Sequence, residues 1–531
     1  MGSGISRDLR TRSKSLSKSK TKAKMYNFNQ AEFADILQKT GSTVLYKKIP
    51  ADTITPVLAS LKLSQYLHKE SEYSFLLESV EKGNNKGRFS VIGLMPDLVW
   101  KCSGEESAIN LEFAKNPQNF KSQSGNPIAN LRQLIAECKI DWSNLNYISG
   151  YLPGVCAGIF GYLSYDMVRL MEKISDKGLR DDLKIPDSIF IRPQILIIFD
   201  NLFDCALICA PVFKDNNFSG AEIFDQTIAR ISLIEQTLQK PYHAQEIKAK
   251  SQFNFTSNYS EQEYCEAVER AKKYITDGDI FQVLPSQRFT SDFDKELSEF
   301  TFYRALRSVN PSPFLFYLKF PDFCLVGSSP EIMVSSKSRK ITVRPLAGTR
   351  KRGKNLEEDK KIAAELLSDE KEIAEHLMLI DLGRHDAGRV SVQGSVVVTE
   401  KMVIENYSHV MHISSNVEGI LRDDLDALDA LISGFPAGTV SGAPKIRAMD
   451  IIEEIEKVKR SFYAGCVGYF SSNGDMETCI TLRSALIKDG KIYLQAGAGV
   501  VFDSDPKSEY HECINKSLGL VKACEGIKEF I

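Results

Sequence analysis

From Met25 to about residue 240 short apolar runs alternate with polar breaks, and the runs favour β-branched and aromatic residues. Phe75–Val80, Phe89–Ile92, Leu98–Cys102, Ile189–Phe190 and Gln194–Phe199 therefore read as strands. Apolar residues at helical spacing mark Ile128–Ile135 and Ala221–Leu238 as helices. The polar stretch 241–258 reads as a linker to a second region, 259–525, with a stronger pattern. Ser260, with Glu263 three positions on, opens a helix reaching Thr276 in capping-box spacing. Ile280–Phe289, Phe314–Phe320, Cys324–Ser328 and Lys340–Pro345 follow as expected strands, then helices at Glu357–Leu367 and Asp369–Leu382. Gly465–Phe470, Thr478–Ile487 and Lys491–Val500 read as strands, and Asp505-Pro506 starts the last helix. Strands grouped with long helices rather than alternating with them predict an α+β fold in two packed regions, 25–240 and 259–525.

Composition adds mainly exclusions. A net charge of −2 over 531 residues points neither to nucleic acid nor to an anionic surface. No apolar run reaches the ~20 residues that span a bilayer. The eleven cysteines are scattered and odd in number, which fits a reducing, cytoplasmic setting better than a disulfide scaffold. Residues 1–24 carry eight Lys or Arg against Asp8 alone and too little apolar surface to fold, so they read as a disordered basic tail.

The densest chemistry lies in Phe435-Pro436-Ala437-Gly438-Thr439-Val440-Ser441-Gly442-Ala443-Pro444-Lys445. Its glycines permit a tight turn, and Pro444 suits the first position of the helix that follows. Thr439, Ser441 and Lys445 supply donors, so the corner is expected to hold an anion. Glu375 sits in a helix whose apolar residues, Ile373, Leu377, Met378, Leu379, Ile380 and Leu382, surround it. Burial nearly all round is expected, with Glu375 either paired to Arg384 or Arg389 or ligating a metal. Glu509, Glu512 and Lys516 share a face of the last helix, an ordinary solvated face by spacing alone. Strand alternation puts Val410, His412 and Ser414 together.

Taken with Leu346-Ala347-Gly348-Thr349-Arg350, the run Ala374–Arg384 and Gln495-Ala496-Gly497-Ala498-Gly499, the Phe435–Lys445 segment resembles the chorismate-utilising enzymes. Within them it is similar to the large subunits of anthranilate synthases, from about Ser74 to Lys516. The resemblance implies two large sheets packed as a sandwich, helices outside, and an active-site cleft in the C-terminal region. It implies Glu375 and Glu512 as ligands of Mg²⁺, with Glu372 and Glu509 behind them, and His412 as the catalytic proton carrier, with Thr439 and Gln282 beside it. Arg483 and Tyr463, with the backbone of Gly348, Thr349, Gly497, Ala498 and Gly499, would bind chorismate. His385 stands where relatives carry asparagine, which leaves its role open.

Two positions separate branches of that family. Gln282 occupies the place of a lysine that activates water, and an amide is no general base. Ala347 occupies the place of a lysine nucleophile in aminodeoxychorismate synthases. The implied reaction is chorismate and ammonia to anthranilate and pyruvate, the first committed step of tryptophan biosynthesis. Aminodeoxychorismate synthase or a non-catalytic tryptophan-sensing subunit are the alternatives. Leu76–Ser79 and Asn310–Phe316 resemble the two pieces of a tryptophan regulatory site, with Ser79, Pro313, Phe314 and Leu315 as contacts. No glutamine amidotransferase region is read in the chain, so ammonia from glutamine would need a separate glutamine amidotransferase subunit.

Overall fold

The computed structural model describes residues 25–81, 85–145, 153–244, 252–407 and 410–530. The expected tail 1–24, the middle of the linker, and His409 lie outside these residues. Among them the architecture is α+β: antiparallel strands form one large hydrogen-bonded network with helices packed around it.

Local chemistry accounts for the helix ends. Ser260 accepts from the Glu263 N–H while the Glu263 carboxylate takes the Ser260 N–H, so helix Glu261–Thr276 opens with both orphan donors satisfied. Ser219 and Glu222 repeat the device at helix Gly220–Gln239. Asp505 caps helix Pro506–Glu525 through the Ser508 N–H. Pro444 departs from expectation: it is the N-cap of helix Lys445–Ile455 rather than its first residue. Helix Glu370–Gly388 runs past the expected Leu382, and it is not buried all round. One side packs on the sheet through His376, Leu379, Ile380 and Gly383, while Leu377 is 40% exposed with Asp381 and Arg384 on the outer side.

Several expected strands change length. The pairs Phe89–Ile92 with Leu98–Cys102, and Ile189–Phe190 with Gln194–Phe199, are single long strands, Phe89–Ser103 and Ser188–Asp200. They pair along their whole length across a bulge at Pro96–Leu98, so tertiary pairing carries the polar interruptions. Conversely, the expected Ile280–Phe289 and Thr478–Ile487 each break in two, at Pro285 and at Thr481–Arg483.

Ser188–Asp200 is the hub. One edge pairs with Phe89–Ser103; the other pairs with Gly158–Leu163 at one end and Cys205–Phe213 at the other. From Phe89–Ser103 one arm continues through Ser74–Glu78, Phe314–Lys319, Phe323–Ser329, Ser484–Lys488 and Lys491–Gly497 to Ser286–Asp292. From Gly158–Leu163 a second arm runs through Cys466–Ser471, Met476–Ile480, Ile332–Lys337 and Lys340–Val343 to Val410–Ile420. The arms face each other through Phe75 stacked on Phe160, with Tyr469 behind, and through Tyr162 against Phe320 and Phe323. The expected two-sheet sandwich is thus two arms of one sheet. Each arm begins with strands of the first sequence region and continues with strands of the second, and Thr256–Ser257 at the end of the expected linker pairs with Phe289–Thr290.

Candidate active site

Side chains from several chain segments meet around Arg483 and mark the candidate site. Strand Val410–Ile420 brings His412, 6% exposed, to it. Its neighbour Leu346–Lys351 is bulged at Gly348, whose φ of +60° suits glycine. The bulge turns the Gly348 carbonyl to 3.1 Å from His412 Nδ1, with Thr349 Oγ1 also at 3.1 Å. The carbonyl can only accept, so the ring proton sits on Nδ1 and the Nε2 lone pair is left free. Nε2 is buried with no partner among the described residues. Burial first, and then the Arg483 charge, push the imidazole pKa down to about 3, so the ring is neutral near pH 7.

Glu331, which sequence reasoning did not single out, is the other acid–base group. It follows Ser328-Ser329-Pro330 between two strands and is 5% exposed. Thr439 Oγ1 donates to its Oε1 at 2.9 Å. Burial raises the Glu331 pKa to about 8 in spite of Thr439, Arg483 and Lys516, so the carboxyl is protonated at neutral pH. A glutamate after Ser-Ser-Pro is unremarkable in a sequence window; only the closing of the two arms over it makes it an acid.

Arg483 stands in the break between two strands at φ +46°. Protein surrounds its guanidinium, which lowers its pKa, and no carboxylate lies within ion-pair distance of it among the described residues. The Arg483 charge acts on His412 and Glu331, as does that of Lys516, so the four groups lie near one another. Tyr463, 4% exposed, points its hydroxyl at Gly497: a Cβ built there would stand 3.2 Å from the oxygen. Lys516 Nζ donates to the Gly497 carbonyl at 3.0 Å and pairs with Glu512 at 2.7 Å. Gly499 lies against Gln282, its Cβ position 3.0 Å from Nε2.

Glu375 has neither expected arginine partner. Arg384 pairs with Asp381 and Arg389 with Glu172. Its Oε1 instead accepts from Gln282 Nε2 at 2.9 Å. Burial raises its pKa, and the nearby Glu372 and Glu512 carboxylates add to the rise. Glu375 and Glu512 stand on separate helices near enough for the Glu512 charge to act on Glu375; no group of three potential ligands forms among the described residues, so a hard cation held here would keep several waters. Glu372 is drawn off by Arg350 at 2.9 Å. The Gly438–Lys445 corner is not the expected anion site: Lys445 pairs with Asp386 at 2.8 Å, Ser441 bonds the Ala437 carbonyl, and Thr439 serves Glu331. His385 is exposed on the outer side of its helix.

The regulatory candidates lie one strand further along the first arm. Leu315 pairs with Glu78 and Phe316 with Leu77, a register that sets Ser79 opposite Phe314. The pleat puts Leu315 on the opposite face, with Glu78, where Arg307 and Tyr303 hold that carboxylate at 2.8 and 2.6 Å.

Residues 77–521 match the model of the chorismate binding enzyme family. The chain belongs to that family. This chorismate-binding enzyme is 47% identical to anthranilate synthase component 1 of Cereibacter sphaeroides, over 91% of this chain and 94% of the relative. It is 39% identical to the protein of the same name from Aquifex aeolicus, over 95% and 99%. The crystal structure of anthranilate synthase component I from Streptococcus pneumoniae superposes with a TM-score of 0.70 at 33% identity, covering 89% of this chain and 98% of that one. The menaquinone-specific isochorismate synthase of Escherichia coli shares the fold, with a TM-score of 0.67 at 18% identity.

Proposed function

We propose that this enzyme is the large subunit of an anthranilate synthase, converting chorismate and ammonia to anthranilate, pyruvate and water. The observation that carries the reading is the acid–base pair: a protonated Glu331 and a neutral His412 with a free Nε2 flank one cleft, between groups that bind anions. Arg483 takes the enolpyruvyl carboxylate through its planar fork, beside the Tyr463 hydroxyl and the backbone of Gly497–Gly499. Glu375 and Glu512 would hold a magnesium ion, which when bound supplies positive charge for the ring carboxylate. Glu331 gives its proton to the departing 4-hydroxyl while ammonia adds at C2, with Thr439 holding the carboxyl in place. His412 Nε2 then takes the C2 proton as pyruvate leaves and the ring becomes aromatic. Gln282 keeps Glu375 oriented and offers no base to water, so ammonia rather than water is the nucleophile.

Ammonia would come from glutamine through a separate amidotransferase subunit. L-Tryptophan would act as feedback inhibitor at the Ser79–Phe314 face, with Pro313 alongside. The eleven cysteines are unpaired, in keeping with a cytoplasmic setting, and no helix among the described residues is long and apolar enough to cross a membrane. The deciding experiment is a product assay with chorismate, Mg²⁺ and ammonium. Anthranilate with equimolar pyruvate is expected; 4-amino-4-deoxychorismate or isochorismate as the product would refute the assignment.

A further inference from the structure

Behind the cleft lies a buried ion pair that the reaction itself does not use. Arg460 is 1% exposed, and its guanidinium meets both oxygens of Glu456 at 2.7 to 3.2 Å. Its remaining donors go to two backbone carbonyls: Val440, at 2.7 Å, and Leu284. Val440 follows Thr439, which holds Glu331, and Leu284 lies two residues after Gln282, which holds Glu375. Glu456 in turn accepts from the N–H and hydroxyl of Ser286, both at 2.8 Å. The Arg460 carbonyl takes the Tyr463 N–H at 3.2 Å, and the guanidinium lies 5.7 Å from the centre of the Tyr463 ring. One side chain thus touches the supports of the general acid, of a carboxylate in the candidate metal site and of a substrate contact.

The N-terminal region completes the clamp. Tyr165 lies under the guanidinium at 4.8 Å, its N–H donates to the Ser461 carbonyl at 2.8 Å, and Asp166 accepts the Ser461 N–H at 2.9 Å. Residues 165 and 166 thereby grip the loop that carries Arg460 to Tyr463, with Ser461 held at φ +53°. Such a pair is costly to desolvate, and apolar replacement of a buried ion pair is often neutral for stability, so stability alone does not account for it. What an apolar pair cannot do is hold two carbonyls from separate segments in one plane.

We propose that Arg460 is a positioning residue of this active site: locked by Glu456 and seated on Tyr165, it fixes the Thr439 and Gln282 segments so that Glu331 and Glu375 face the substrate. The proposal rests on the function given above. Its test is a double-mutant cycle, read as kcat and KM for chorismate with ammonium. Arg460→Lys keeps a charge against Glu456 but cannot span both carbonyls, and should lower kcat by ~10- to 100-fold, the scale expected for displacing a catalytic group by about 1 Å. Thr439→Val should lower kcat as well. If Arg460 acts through the Thr439 segment, adding Arg460→Lys to Thr439→Val costs less than ~3-fold further, since interacting sites are non-additive. Effects that simply multiply, or an Arg460→Lys enzyme with wild-type kcat, would overturn the proposal. Glu456→Gln, which keeps the shape of the pair, should show the same non-additivity and serves if Arg460→Lys fails to fold. A wild-type enzyme that makes no anthranilate would instead defeat the functional reading, so the two failures are distinct.

Discussion

At the scale of single residues, burial sets two titratable groups of the candidate site on opposite sides of neutrality. Glu331 keeps its proton up to about pH 8, and His412 stays free of one down to about pH 3. The acid must be protonated to act, so activity should hold at neutral pH and fall as pH rises through about 8. Glu331→Gln should remove that alkaline limb and lower kcat by ~100-fold or more, the share commonly carried by a general acid; an unchanged profile would show that Glu331 is not the acid. Glu375 and Glu512 make a second residue-level case. Changing either to Gln keeps size and hydrogen bonding but removes an anionic ligand, and should abolish turnover at ordinary Mg²⁺ concentration. A Mg²⁺ titration restoring full rate in both variants would count against them as ligands.

At the scale of elements, the proposed catalytic groups sit where regular structure is interrupted. The Gly348 bulge sets the tautomer of His412, and the break at Thr481–Arg483 frees a guanidinium that a continuous strand would have kept in the pleat. The short pairing of Gln282–Val283 with Gly442–Ala443 is the third case. Gly442 has φ +140°, and a Cβ there would stand 2.2 Å from the Gln282 carbonyl and 2.8 Å from the Ala448 Cβ. Gly442→Ala should therefore push Gln282 off Glu375, with a ~100-fold loss of kcat and a fall in Tm of several degrees. Wild-type kinetics in that variant would mean that this pairing does not position the site. Regular helices were legible from the chain, since capping boxes and apolar spacing are local. The breaks were not, because alternation continues through Thr478–Ile487 and only the partner strands divide it.

At the scale of the whole molecule, the two sequence regions share one sheet, so an event at the Ser79–Phe314 face has a short route to the cleft. Phe314 pairs with Ser329, two residues before Glu331, and Ser328 donates its N–H to the carbonyl of Arg483. A ligand that shifted the register or tilt of Phe314–Lys319 would move the acid and the anion clamp together. Ser79→Phe should fill the proposed effector face and leave ammonia-dependent turnover intact, with inhibition by L-tryptophan weakened ~10-fold or more, about 1.4 kcal/mol of lost differential binding. A tryptophan titration of both proteins at matched chorismate saturation checks this. An unchanged curve would place the effector elsewhere, and inactivity without tryptophan would make Ser79 part of the core, packed as it is against Gly87.

The sequence by itself determined the fold class, most helices with their caps and the chorismate-binding family, and the resemblance to that family named the candidate site residues His412, Arg483, Tyr463, Gln282, Thr439, Glu375 and Glu512. The helices are carried by local spacing, and the family by motifs that hold their chemistry in a few adjacent residues. Tertiary structure alone decided which charges are spent and which are free. It gave Lys445 to Asp386, left Arg483 without an ion-pair partner among the described residues, and raised the Glu331 pKa to about 8. It also joined both regions into a single sheet and placed Arg460 behind three catalytic segments. The physical reason is common to all of these. Desolvation and pairing depend on neighbours brought from other parts of the chain, and no local pattern records which neighbour will arrive.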